Sequence, residues 1–335
     1  MIDDFIKKYN LPEYRKTQFY TQYYKNVISS FDELSNWSKE LRESLKTEVE
    51  FSSIIPSKVF GDVSKDTMKI LFKRTSDNKL FESVLLRHKD GRNTVCVSCM
   101  IGCPVGCKFC ATGKMGFISN LISTEIVDQI LYFQRLLKII DQKVTNIVFM
   151  GMGEPLLNIK EVFGAIDIIT DPQKLALSIR RITISTCGVI NGIRELIKLK
   201  YKGRLAISLH APEQQLRESL IPMAKLNKLE DLMNVLDDYV ETTGQRVSYE
   251  YVLLNGVNDT KKCAEDLSIL LGGRMAHVNL IRYNIIDNGE FTKSIQENVN
   301  HFCAVLKKYK INYTVRVSLG SEIEGACGQL TTDNS

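Results

Sequence analysis

The sequence predicts an α/β protein: a partial (β/α)6 barrel behind a small N-terminal domain of helices and a β-hairpin. Three observations carry this. From residue 93 onward, short β-rich runs alternate with amphipathic helical stretches, the rhythm of a parallel sheet with right-handed crossovers. Six such repeats and one further strand fall short of the eight that close a complete barrel in about 250 residues. Residues 1–92 show helical spacing and a hairpin pattern but no repeat. The expected boundaries are 1–92 for the accessory region and 93–335 for the barrel with its C-terminal segment.

The elements follow in chain order. "PEYRKTQFYTQYYKNV" and "SFDELSNWSKELRESLKTEV" have helical spacing. In the second, Phe31, Leu34, Leu41 and Leu45 share a face and Ser30 caps the start. "TMKILFKRTSDNKLFESVLLRH" reads as a hairpin turning at "TSDNK". The barrel strands are "NTVCVS", "TNIVFM", "RRITIST", "RLAISLH", "RVSYEYVLL" and "HVNLIRYN", with "NYTVRVSL" as a seventh. Between them fit "TEIVDQILYFQRLLK", capped by Ser123, then "NGIRELIKLK", "LEDLMNVLDDYVETT", "KKCAEDLSILLGG" and "SIQENVNHFCAVLKKYK". In such folds chemistry gathers at the carboxyl ends of the strands.

Composition excludes some classes and leaves others open. Hydrophobic content of 44% and charged content of 25% are those of an ordinary globular protein. No apolar run approaches the roughly 20 residues of a membrane helix. "MIDDFIKKYNLPEYRK" has no apolar core of a secretory signal, so a cytoplasmic location with no membrane partner is expected. Net charge is +5, from 44 basic and 39 acidic residues, which permits a polyanionic partner without demanding one. Nine cysteines argue against a simple disulfide framework, and clustered cytosolic thiols more often bind metal or do chemistry.

Five of the nine fall within "CVSCMIGCPVGCKFC". Cys103, Cys107 and Cys110 form C-x3-C-x2-C in a glycine-rich loop after the first barrel strand. Thiolates suit iron–sulfur clusters or zinc. Three thiolates on a four-iron cluster leave one iron open to a ligand; adding Cys99 makes a closed zinc knob the competing reading. "FMGMGEPLLN" follows the second strand, its glycines letting backbone approach a ligand and Glu154 able to accept from an ammonium group. Ser185, Ser208, His210 and Asn284 also stand at strand ends. Each alone could be a strand-terminal cap.

The cysteine spacing in this context, with Phe109 between its last two thiols, resembles the radical S-adenosylmethionine (SAM) enzymes. "CVSCMIGC", "CKFCATG", "GMGEPL", "ISLHAP" and "ACGQL", in that order, narrow the resemblance to the RlmN/Cfr family of RNA adenine methyltransferases, over residues 10 to 330. The resemblance implies a [4Fe–4S] cluster on Cys103, Cys107 and Cys110, and SAM held by Gly153, Glu154, Ser185, Ser208, Leu209, His210 and Asn284. It implies that Cys327 carries a methyl group, that Cys96 resolves a protein–RNA intermediate by forming a disulfide with Cys327, and that Glu82 accepts a proton. The implied partners are a 23S ribosomal RNA adenosine at the peptidyl-transferase centre, adenosine 37 of certain tRNAs for some members, and a one-electron donor such as flavodoxin or ferredoxin. Cys187, Cys263 and Cys303 are read as small buried hydrophobes.

Three positions touch the subfamily. Pro155 favours RlmN and methylation at carbon 2, whereas Arg282 matches Cfr and carbon 8; Cys99 stands where the family commonly has serine. Carbon 2 is the preferred reading, Cfr-like carbon 8 methylation the second, and a non-catalytic zinc or iron–sulfur RNA-binding protein the third. For RNA contact, the turn "RHKDGR" at 87–92 is favoured over the Tyr14–Lys25 aromatic stripe, which is expected to pack inward.

Overall fold

The computed structural model describes residues 2–332. The N-terminal part holds α1 (Ile2–Lys8), α2 (Tyr14–Tyr20) and α3 (Lys39–Glu48), with a π-turn extending α2 over Thr21–Lys25. Phe19, Tyr20 and Tyr23 are buried, and the Phe19 and Tyr23 rings stack with centroids 5.2 Å apart, so the middle of the stripe packs inward while Tyr14 is exposed. The single helix expected from Ser30 to Val49 is instead broken. A Ser30–Glu33 capping box closes a short 3-10 turn at Phe31–Glu33. Ser38 then starts α3 afresh, its Oγ accepting from the Leu41 amide at 3.3 Å. A second N-cap residue inside the apolar pattern thus divides the run.

Next come β1 (Ile54–Gly61), β2 (Thr67–Arg74), β3 (Leu80–Arg87) and β4 (Asn93–Cys96). The expected hairpin is β2–β3, turning at residues 75–79. β1 pairs antiparallel outside it; its largely exposed residues and internal Pro56 hide an edge strand from pattern reading. β3 pairs antiparallel with β4 in the register Val84–Cys96, so one sheet runs from the hairpin into the barrel.

A small antiparallel pair, β5 (Met100–Gly102) and β6 (Phe117–Asn120), brackets the cysteine loop and α4 (Ala111–Met115). The remaining strands are β7 (Asn146–Phe149), β8 (Ile182–Thr186), β9 (Arg204–Ser208), β10 (Val247–Leu253), β11 (Ala276–Arg282) and β12 (Tyr313–Arg316). They line up parallel to β4 in chain order, in a ten-stranded sheet. This is the expected partial barrel with its seventh strand. All carboxyl ends therefore face one rim.

The crossovers use α5 (Ser123–Ile139), α6 (Ile159–Thr170), α7 (Ile190–Lys198), α8 (Gln214–Leu220), α9 (Leu229–Thr243), α10 (Lys261–Leu271) and α11 (Gln296–Lys308). α6 is absent from the pattern reading because Gly164 interrupts it. That glycine sits where a Cβ would strike the Ser123 hydroxyl, so it permits close packing on α5. Ser123 does not cap α5: its amide and hydroxyl donate to Glu161 Oε2 at 2.9 and 2.7 Å. Glu125 caps instead, accepting from the Ile122 amide at 2.9 Å. Among the described residues no helix is long and apolar enough to cross a membrane.

Candidate active site

The β5–β6 pair holds the cysteine loop at the rim. The Cys103 amide donates to Gly116 O at 2.8 Å, and the Lys108 amide donates to Leu220 O at the end of α8, 3.1 Å. Gly102 lies at φ +71°, where a Cβ would collide with Gly116 O. Cys103, Cys107 and Cys110 all open into a cavity of ≈ 160 Å³ that also meets Gly153, Glu154, Ser185, Ser208, His210, Asn284 and Cys327. Burial pushes all three thiols up; at Cys107 the neighbouring Cys110 and Cys103 charges add to it. Held as thiolates, three sulfurs so buried would call for a positive partner. Among the described residues, no three or more His, Cys, Asp or Glu side chains converge on one metal ion.

Opposite the thiols stand the strand-end groups. Gly153, at φ +106°, lies where a Cβ would meet Met100 Cβ at 2.6 Å and Cys99 Sγ at 3.0 Å, so only glycine lets the chain turn into the cavity. Glu154 Oε1 accepts from the Leu156 amide at 3.1 Å and Oε2 from the Cys187 amide at 2.8 Å. Burial raises its pKa, offset first by the Cys187 amide. His210 sits at φ +59°. Its Nδ1 accepts from the Val252 amide at 3.0 Å, and its ring meets Phe109 edge-on at 4.8 Å. Burial lowers its pKa to about 3, so the imidazole is neutral. Asn284 donates through Nδ2 to Cys327 O at 3.1 Å, while its buried Oδ1 has no partner. An acceptor left orphaned at the cavity wall, a fixed carboxylate and three thiols fit a cluster-bound ligand bearing amine and hydroxyl donors.

A second cavity of ≈ 700 Å³ adjoins the first; Cys327, Asn284 and Arg316 line both. Cys96, at the carboxyl end of β4, lines the larger one with Cys327. Burial pushes the Cys96 thiol up, and the charge of Cys327 is the next cause. Desolvation at the cavity mouth also raises Cys327, with Arg316 opposing it. The C-terminal segment is tied down just after this thiol. Ala111 N donates to Gly328 O at 2.7 Å and the Thr112 hydroxyl to Leu330 O at 2.6 Å.

Glu82 is placed differently. It is 2% exposed and lines neither cavity. Lys69 Nζ lies 2.8 Å from Oε1, and the Thr331 amide donates to Oε2 at 2.9 Å. Lys69 and Cys96 are both cross-strand partners of Val84, so all three project from one sheet face, with Glu82 two residues along β3 on that face. Burial raises the Glu82 carboxyl, opposed chiefly by Lys69. Leu209 also stays outside both cavities; it is buried, and its amide donates to Glu250 O at 3.1 Å.

Several residues depart from the sequence reading. Cys99 is buried away from both cavities, its Sγ 3.7 Å from Met152 O. Cys187, read as inert, lines the small cavity. Arg282 turns outward to Gln296 Oε1 at 3.2 Å, and Pro155 lies in a buried 3-10 turn, so neither lines a cavity. Arg87, His88, Lys89 and Arg92 of the charged turn do line the larger one. Glu250 and Arg316, 3.2 Å apart, are functional candidates that the sequence pattern does not single out. Polar residues on barrel strands, "SYEYV" and "YTVRV", were the available signal.

Comparison with known proteins agrees with this geometry. The Radical SAM superfamily matches residues 97–267. The chain is 41% identical over 318 residues to a probable dual-specificity RNA methyltransferase RlmN of Lachnoclostridium phytofermentans, covering 95% of this chain and 88% of the relative. It is also 41% identical over 336 residues to the ribosomal RNA large subunit methyltransferase Cfr of Clostridium botulinum strain Okra, covering 98% and 95%. A crystal structure of a radical SAM methyltransferase from Sphaerobacter thermophilus superposes with TM-score 0.95 at 37% identity, covering 98% of this chain and 96% of that one.

Proposed function

Because this chain belongs to the RlmN/Cfr family of radical SAM RNA methyltransferases, we propose that it methylates carbon 2 of a 23S ribosomal RNA adenosine at the peptidyl-transferase centre through a methyl carried on Cys327. The same reading gives it adenosine 37 of certain tRNAs as a second substrate and a flavodoxin or ferredoxin as electron donor. The observation that carries it is the pairing of Cys96 and Cys327 on one cavity that adjoins the thiol triad.

Carbon 2 of adenine lies between two ring nitrogens and is electron-poor, so it cannot take a methyl by simple displacement. Cys327 loses its proton and as thiolate accepts the methyl of SAM; its S–C bond forms as the sulfonium S–C bond breaks. Arg316 favours that thiolate. Cys103, Cys107 and Cys110 hold the cluster, while Gly153, Glu154, Ser185, Ser208, His210 and Asn284 seat its cofactor, with Leu209 supporting their loop from behind. When bound, the reduced cluster and SAM supply hydrogen-atom abstraction from the Cys327 methylthio group. The Cys327-borne carbon then bonds to carbon 2, and the ring gives up one electron, which the one-electron carrier that opened the cycle takes back, and its proton, the latter to Glu82. Cys96 attacks the Cys327 sulfur; the S–S bond forms, the S–C bond breaks, and the freed carbon takes a proton to become the methyl. Reduction of the disulfide by two electrons resets the enzyme.

An extruded base costs a few kcal/mol of lost stacking, and the basic turn at 87–92 offers phosphate contacts beside the larger cavity. A Cfr-like outcome at carbon 8 is the second reading, favoured by the equal identity to relatives of both names. Mass mapping of the modified nucleoside separates them: methyl on carbon 2 is expected, and methyl solely on carbon 8 contradicts the proposal.

A further inference from the structure

Among the described residues Arg217 is the largest fully buried side chain, with 0% exposure. It lies on α8, whose last carbonyl, Leu220 O, accepts from the Lys108 amide inside the cysteine loop at 3.1 Å. Its Nη2 donates to Cys187 O, its Nη1 lies 3.5 Å from Asn227 O, and its Nε has no partner. None of these partners is a carboxylate. A guanidinium taken from water without an anion is expensive, and two neutral carbonyls do not offset it. Cys187, to which it is bonded, lines the same small cavity as Cys107.

We propose that Arg217 is the built-in counter-charge of the iron–sulfur cluster and sets its reduction potential. Three thiolates on a [4Fe–4S]2+ core carry a net negative charge, and reduction adds one more. A fixed buried cation stabilises the reduced state over the oxidised one and so raises the potential. The step is a one-electron transfer: the external donor is oxidised, the cluster is reduced, and the guanidinium changes neither bonds nor protons. The inference rests on seating the cluster on Cys103, Cys107 and Cys110, not on which adenine carbon is methylated.

The test is the cluster midpoint potential of full-length protein, reconstituted anaerobically and titrated with dithionite under electron paramagnetic resonance. Arg217→Met at full iron content is expected to have a more negative midpoint than wild type, with Arg217→Lys near wild type. An unshifted Met variant with its cluster intact overturns the inference. Should the Met variant lose iron, Arg217→Lys decides, since it keeps the charge but drops the forked contacts. A wild-type potential there supports the counter-charge, and a markedly more negative one assigns Arg217 to tethering alone. Cys107→Ala tests the cluster's seat separately: loss of the brown chromophore supports it, and a retained cluster overturns the seating and this inference together.

Discussion

Cys96 and Cys327, one at the end of the first barrel strand and the other near the C-terminus, open onto a single cavity. Cys327 is positioned by hydrogen bonds at and just after it: its own carbonyl accepts from Asn284, and those of Gly328 and Leu330 accept from Ala111 and Thr112 of the cluster loop. A carrier thiol must reach three places: the cofactor, the base and the resolving thiol. A segment fastened by a few hydrogen bonds at the junction of the two cavities meets that requirement.

Cys327→Ala removes the only carrier in this scheme. Methylated adenosine measured by mass spectrometry after incubation with RNA and reductant is expected to fall to background, while iron content and colour remain those of wild type. Turnover within a few-fold of wild type contradicts the carrier role.

Lys69→Met strands Glu82 as a buried, unpaired carboxylate. Breaking such a pair costs about 3–5 kcal/mol, read as a lower urea midpoint at neutral pH. Burial places the folded Glu82 pKa above its unfolded value even with Lys69 present, and removing the cation accentuates this. The folded protein then holds the proton more tightly than the unfolded chain, so stability is greatest below pH 4.5 and is lost as pH rises through the folded pKa. The deficit of the variant should therefore shrink on acidification and vanish in Lys69→Met/Glu82→Gln.

Much of this arrangement is legible in the sequence, and the remainder has identifiable physical causes. The parallel strands announce themselves because β-branched runs buried on both faces stand between helical repeats. C-x3-C-x2-C marks the thiol loop because its spacing is local. Glu250 and Arg316 escape notice because strand alternation shows which residues share a face, but not which face closes on the cavity. Lys69 reads as an ordinary hairpin charge until the register sets it beside Glu82. The approach of Cys327 to Cys96 depends on tertiary hydrogen bonds that no local pattern encodes.

His210 is expected to give an acid limb to stability. Its folded pKa of about 3 lies below the ordinary 6.5, so its contribution is present above pH 6.5 and is lost as pH falls from there toward 3. The slope from this group is at most about 1.4 kcal/mol per pH unit. His210→Asn, which tolerates the positive φ, should lose stability less steeply across that window; equal slopes in denaturant titrations contradict the assignment.

Cys99→Ser should leave the cluster untouched, because the Cys99 thiol turns to Met152 O and lines neither cavity. Iron per chain after reconstitution is expected to match wild type, at about four. A drop of one iron or more would make Cys99 a ligand.

Cys96→Ala gives the most direct reading of the mechanism. With the resolving sulfur gone, the base should stay joined to Cys327, and a covalent protein–RNA species should accumulate on a denaturing gel and map to Cys327 by mass spectrometry. Release of methylated RNA from the alanine variant at the wild-type rate, with no such species, would contradict the account.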